Sequence, residues 1–328
     1  MSTVYYCSKK CQAGDWPKHK TECKLRHARK ILFCGADLMQ EAFYAFREEA
    51  FDLKVTAVKK EGDTIILKDA RVYDISESPL DRFPSHMVQD EADKKSILVF
   101  NACSDALVYP MGLFDKAFEG KRRAGRGLKD QIANDAHLGL SRYITEVKEL
   151  TLIMDKRYKR IKHYRAGKLD EHDYPHEAIL IVLTGGENFV LDLAGAQYGQ
   201  YESIVTWDNL KARYVKNVVQ VNERGARAQY CKDRREGNGY DHEKLLGLGF
   251  DIRVLLMHHE VMQLLNSTLS AWEKESGTTV AQMLAGKQVE IETQSTKMLA
   301  KMRAEMKGYI TWAESVPRLF GQERVPIK

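Results

Sequence analysis

Two spacings of apolar residues run along this 328-residue chain, and they predict its elements. Between Trp16 and Phe51 the period is helical. Leu38, Met39, Ala42, Phe43, Phe46 and Ala50 recur three and four residues apart, which places them on one helix face. Asp15 before Trp16-Pro17 reads as an N-cap with proline in the first turn. Gly35-Ala36-Asp37 reads as a break before a second helix, Leu38 to Phe51. Leu53–Val58 and Thr64–Leu67 then flank Glu61-Gly62-Asp63, a hairpin signal. Pro79 and Pro84 mark a loop over roughly 76–95. From Ser96 an apolar stretch runs into Cys103, where a helical pattern begins; Pro110, seven residues on, is expected to break or kink it.

The basic stretch 121–168 carries Leu138, Leu140, Tyr143, Ile144, Val147, Leu150 and Ile153 at an approximately helical period, and reads as an inserted basic helix with a glycine-bearing approach at 120–127. His176–Leu183, the turn Thr184-Gly185-Gly186-Glu187 and Asn188–Leu193 form the clearest hairpin in the chain. A short helix is expected from Trp207 to about Val215. From about 241 the chain reads as helical to Trp312, with Gly286-Lys287-Gln288 separating the last two helices. The expected class is α+β: helices at the N-terminus, a mixed domain with a small antiparallel sheet, and a helical C-terminal segment. The expected division is 1–27, 28–240 and 241–328.

Composition narrows the setting. Apolar residues make up 44%, enough for one large or two medium domains with a core. No run approaches eighteen apolar residues, so no membrane-spanning helix is expected. No apolar leader precedes the first cysteines. Cys34, Cys103 and Cys231 are scattered and suggest no disulfide framework, which fits a reducing compartment inside the cell, cytoplasm or nucleus. A net charge of +5 is weak support for a nucleic-acid partner. The basic block could contact phosphates, but an exposed face accounts for it as well.

Chemistry-bearing residues concentrate first at the N-terminus. Cys7, Cys11, His19 and Cys23 follow the spacing C-x3-C-x7-H-x3-C. A histidine and cysteine at i and i+4 share a helix face, and four N/S ligands are what a structural Zn2+ needs. With Tyr6, Ser8, Gln12, Asp15, Trp16 and Lys20 in register, the stretch resembles the C-terminal half of a MYND zinc finger. The resemblance implies Zn2+ as cofactor and an adaptor role toward a protein or short, often proline-containing peptide. In that family the ligands matching Cys7 and Cys11 share one zinc, and those matching His19 and Cys23 share another. The two C-x2-C pairs that open the family's finger are absent from this sequence. The four ligands either close one rearranged site or are the remnant of a longer finger.

A second constellation is Cys103, His176 and Asp192. A cysteine at a helix start meets free N–H groups, and the dipole there favours a thiolate. His176 and Asp192 lie near opposite ends of the second hairpin strands and are able to sit side by side. A carboxylate would orient the imidazole, and the imidazole would activate the thiol. The order Cys, His, Asp, with Cys103-Ser104-Asp105, Tyr174-Pro175-His176-Glu177 and Phe189-Val190-Leu191-Asp192 followed by Leu193 to Gly199, resembles the transglutaminase-like and papain-like cysteine fold over roughly 30–220. The combination also looks like fungal MYND-containing proteins of unassigned function. Three functions stay open: a zinc-binding adaptor, a cysteine-dependent acyl-transfer or hydrolytic enzyme, and an inactive scaffold of that fold. Asp170-Glu171-His172-Asp173 reads as a solvated acidic loop, and His258-His259 as ordinary helix residues.

Overall fold

A computed structural model of the chain describes residues 8–70, 80–119, 140–236 and 249–315. The fold is α+β, with helices first, a mixed region carrying two small sheets, and long helices last. Helix α1 runs without a break over Lys9–Glu49. This corrects the expectation of two helices meeting at Gly35, with a start capped by Asp15. Gly35 serves packing instead: a Cβ there would come within 2.5 Å of the Phe118 ring. The glycine lets another segment approach the helix closely, and that contact offsets its poor helix propensity of about 1 kcal/mol. Ala28, Leu32, Met39, Phe43 and Phe46 of α1 are buried.

The first hairpin forms as expected, with β1 at Val55–Glu61 and β2 at Thr64–Asp69. Its turn residue Gly62 has φ 59°, a left-handed conformation that glycine takes freely. Helix α2, Glu91–Leu98, stands where the end of a loop was expected. Asp90 caps it by accepting from the Asp93 N–H at 2.9 Å. Helix α3 spans only Cys103–Val108; Pro110 then caps α4, Met111–Phe114, so the proline interrupts the helix as its missing N–H requires.

The expected inserted helix is corrected in its described part. Residues 120–139 lie outside the described residues, but Ile144–Met154 is an eleven-residue strand, β3. Leu150, Leu152 and Met154 alternate into a buried layer. The i, i+3 spacing that suggested a helix arises because both faces of this central strand carry apolar side chains. Strand β4, Ile161–Arg165, and the two-residue β5, Lys168–Leu169, follow. The second hairpin forms as β6, His176–Leu183, and β7, Asn188–Leu191. After β8, Ile204–Thr206, comes α5, Trp207–Arg213, as the sequence suggests. Strand β9, Val215–Glu223, and helix α6, Ala226–Glu236, were not anticipated. Helices α7, Gly249–Ser276, α8, Val280–Ala285, and α9, Gln288–Ser315, complete the described chain.

The larger sheet has the order β8-β7-β6-β3-β9 and is antiparallel throughout; the smaller has the order β1-β2-β4-β5, with β2 and β4 parallel. Helix α3 packs on β6. One buried cluster joins α1, α3, α4, the Ile179 side of β6, and the C-terminal helices through Met257, Leu265, Met298 and Met306. A smaller cluster, around Leu152, Val190, Leu210 and Tyr214, lies under α5. The C-terminal helices therefore share a core with α1.

Candidate active site

Strand register brings the first pair of site residues together. Ile179 is opposite Leu191 in the β6–β7 ladder, so Asp192 falls opposite Ala178 and diagonal to His176 on the same face. Diagonal neighbours are within side-chain reach. His176 Nε2 and Asp192 Oδ2 are 2.9 Å apart, and both side chains are fully buried. The other carboxylate oxygen, Oδ1, accepts from the Ala194 N–H at 3.1 Å. A Cβ on Gly195 would meet Asp192 Oδ2 at 2.9 Å, so the turn needs glycine there to leave the carboxylate its place.

Cys103 is the first residue of α3, and its sulfur is near enough to the same imidazole to favour the charged ring. Its thiol also lies 3.6 Å from the Pro175 carbonyl, to which it donates. The residue two before it, Asn101, has φ 56°, the left-handed region that asparagine tolerates better than most side chains. Three residues proposed from sequence alone thus converge. Burial works against a charged imidazole at His176. The Asp192 carboxylate and the neighbouring Cys103 sulfur outweigh it and push the His176 pKa up to about 10.

The surrounding residues were not singled out from sequence. Gln197 is buried in a short turn after Asp192. Its Nε2 lies 3.4 Å from His176 Nδ1 and donates to the Ala194 carbonyl at 3.2 Å, while its Oε1 accepts from the Asn101 N–H at 3.4 Å. One side chain thus links the histidine to the loop that carries the cysteine. Tyr198 sets its ring edge-on to His176, centroids 5.2 Å apart. Next to the Cys103–His176 contact, Ser104 Oγ donates to buried Glu177 at 2.6 Å, and Arg227 of α6 also pairs with Glu177. This clip fastens α3 to β6 one residue beyond the reacting pair. The sequence signal for it was adjacency: Ser104 follows Cys103, and Glu177 follows His176. A narrow cleft reaches Gln197 and Tyr198 from outside, between Phe100, Asn101, Met154 and Tyr174.

The N-terminal ligands stand differently. Cys7 and the side chain of Cys11 lie outside the described residues. His19 and Cys23 are exposed on α1, one helical turn apart, with Trp16 stacked on His19. The α1 backbone separates position 11 from position 19 by about 12 Å at 1.5 Å per residue. Zinc holds its donors at about 2.0–2.3 Å. The continuous helix therefore holds the backbone at positions 11 and 19 well apart, and among the described residues no group of three or more His, Cys, Asp or Glu is placed to hold a metal. The Asp170 loop is tied locally: Asp170 accepts from His172 Nδ1 at 2.8 Å, and Asp173 pairs with Lys156. Among the described residues no single helix is long and apolar enough to cross a membrane.

Residues 2–23 match the MYND finger family. MYND fingers bind zinc and generally mediate protein–protein interactions, so this segment is similar to a zinc-binding interaction module. No curated protein and no solved structure matches the chain.

Proposed function

We propose that the chain is a cysteine-dependent acyl-transfer or hydrolytic enzyme on a transglutaminase/papain-like core. The observation that carries this reading is the buried 2.9 Å His176–Asp192 hydrogen bond with Cys103 against the same ring. Asp192 engages Nε2, which leaves Nδ1 to carry the proton exchanged with the sulfur. With the His176 pKa raised, that proton rests on Nδ1 before the reaction, and Cys103 attacks an acyl carbonyl as the thiolate. The tetrahedral adduct expels its amine or alkoxide, which leaves with the proton from Nδ1, and a thioester remains on Cys103. Water or an amine then attacks the thioester and regenerates the thiol. Asp192 orients the ring and stabilises the imidazolium. A free thiol suits this chemistry, and Cys23, Cys34, Cys103 and Cys231 are all free.

Alkylation by iodoacetamide tests the reading, with Cys231 as internal reference. Cys103 and Cys231 are similarly buried, 8% and 7% exposed, so a rate difference reports activation rather than access. At pH 7, Cys103 should react at least about tenfold faster than Cys231, and His176→Ala should remove the difference. Equal rates in the native protein would instead favour an inactive scaffold.

The family match at residues 2–23 supports a second reading, a zinc-binding adaptor for a protein or peptide partner, with Cys7, Cys11, His19 and Cys23 as ligands. Zinc content of the purified protein tests it against Cys7→Ala and Cys23→Ala controls. Less than about half an equivalent per chain would end the one-zinc version, in which all four donors serve a single ion.

A further inference from the structure

The cleft beside Gln197 and Tyr198 has a mixed lining, with the aromatic residues Phe100, Tyr174 and Tyr198 and the basic residues Lys156 and Lys159. Asp173 supplies the opposing charge within the lining, and its direct partner is Lys156. Lys159 stands at longer range from that carboxylate and is half-buried rather than extended into solvent. Two ammonium groups against one carboxylate leave a single net positive charge in the lining. Lys216 adds to the field at Asp173 from β9. Gln197 and Tyr198 also line the cleft, and both touch His176, so the cleft adjoins the imidazole through these two residues.

The geometry points to an acyl substrate that carries a carboxylate close to its reacting carbonyl, with Lys159 as the charge that selects it and the aromatic residues holding its apolar part. This inference rests on the cysteine-enzyme reading above. One net positive charge matches a monoanion, whereas a phosphate dianion would be left half-compensated. Lys159 rather than Lys156 is the selecting group, because Lys156 is already engaged by Asp173. A neutral substrate would forgo the attraction, and a cationic one would meet repulsion at the mouth.

Two reagents of the same reactive group separate charge from reactivity. Iodoacetate and iodoacetamide both alkylate Cys103, and only iodoacetate carries a carboxylate. The ratio of their rate constants at Cys103, read by peptide mass spectrometry, reports the field in the cleft. Lys159→Gln should lower that ratio about two- to threefold, the size of a unit charge acting through water over several ångströms. Asp173→Asn should raise it by a similar factor. Both effects should shrink in about 1 M salt. The ratio cancels any change in thiolate reactivity that both reagents share, and unchanged far-UV circular dichroism of the two variants shows that they fold. A brisk iodoacetamide reaction with a ratio indifferent to both substitutions overturns the anionic-substrate inference alone. Slow reaction of native Cys103 with both reagents overturns the cysteine-enzyme reading beneath it.

Discussion

Both oxygens of Asp192 are committed, one to the His176 ring and one to the Ala194 N–H, and neither group touches solvent. The pair therefore has a pH signature. The His176 pKa rises from its ordinary 6.5 to about 10 in the folded chain. A group raised on folding contributes its stability fully below the unfolded value and loses it as pH climbs through the folded one. The melting temperature should thus fall between about pH 6.5 and pH 10. Asp192→Asn keeps the shape but removes the charge. It should melt lower than the native protein at pH 6.5, and its melting temperature should decline less toward pH 10. Parallel curves for the two proteins would show that Asp192 is not what holds the imidazole charged. The same substitution should slow alkylation of Cys103, because the ring loses its orienting partner.

The elements differ in how plainly the sequence announces them. Both hairpins were legible, because each combines apolar runs with a glycine-containing turn and these signals are local. The β3 strand was misread, because apolar and polar residues stand on both of its faces and no strict alternation marks its period. Helix α1 was misread at Gly35 for a related reason: a glycine that ends a helix and one that admits a neighbour look alike in sequence. Gly35→Ala distinguishes the two roles. Better helix propensity would stabilise by about 1 kcal/mol if nothing opposed it. The new Cβ, however, would sit 2.5 Å from Phe118 and 3.3 Å from Leu284. Overpacking of this kind costs about 1–3 kcal/mol. Chemical denaturation should show a net loss, and Phe118→Leu in the same chain should restore part of it. A more stable Gly35→Ala protein would mean that the Phe118 ring moves aside without cost.

Across the whole molecule, helix α1 meets α3 and α7 around a buried polar cluster. Arg47 of α1 is fully buried. It donates to the Leu98 carbonyl at 2.8 Å, pairs with Asp52 at 2.5 Å and lies 3.6 Å from Asp105. His258 of α7 is wedged between Phe46 and Tyr109, centroids 5.1 and 5.0 Å away. Burial pushes the His258 pKa down from 6.5 to about 3, so its stability is present above about pH 6.5 and is lost as pH falls. Asp105 acts oppositely: burial, against the pull of Arg47, raises its pKa from 3.8 to about 7, so it gains stability as pH falls through that range. His258→Leu removes the first effect. It should lose less melting temperature than the native protein between pH 7 and pH 4, and an equal loss would rule out His258 as an acid-sensitive group.

The sequence by itself determined the α+β class, the two hairpins, the MYND-type segment and the three residues that became the candidate site, because local periodicity and residue chemistry carry those signals. Only the tertiary structure decided that Cys103 reaches His176, that Gln197 links the histidine to the cysteine loop, and that lysines border the cleft. These depend on strand register and on packing between residues 72 to 96 positions apart, distances over which sequence spacing carries no geometry.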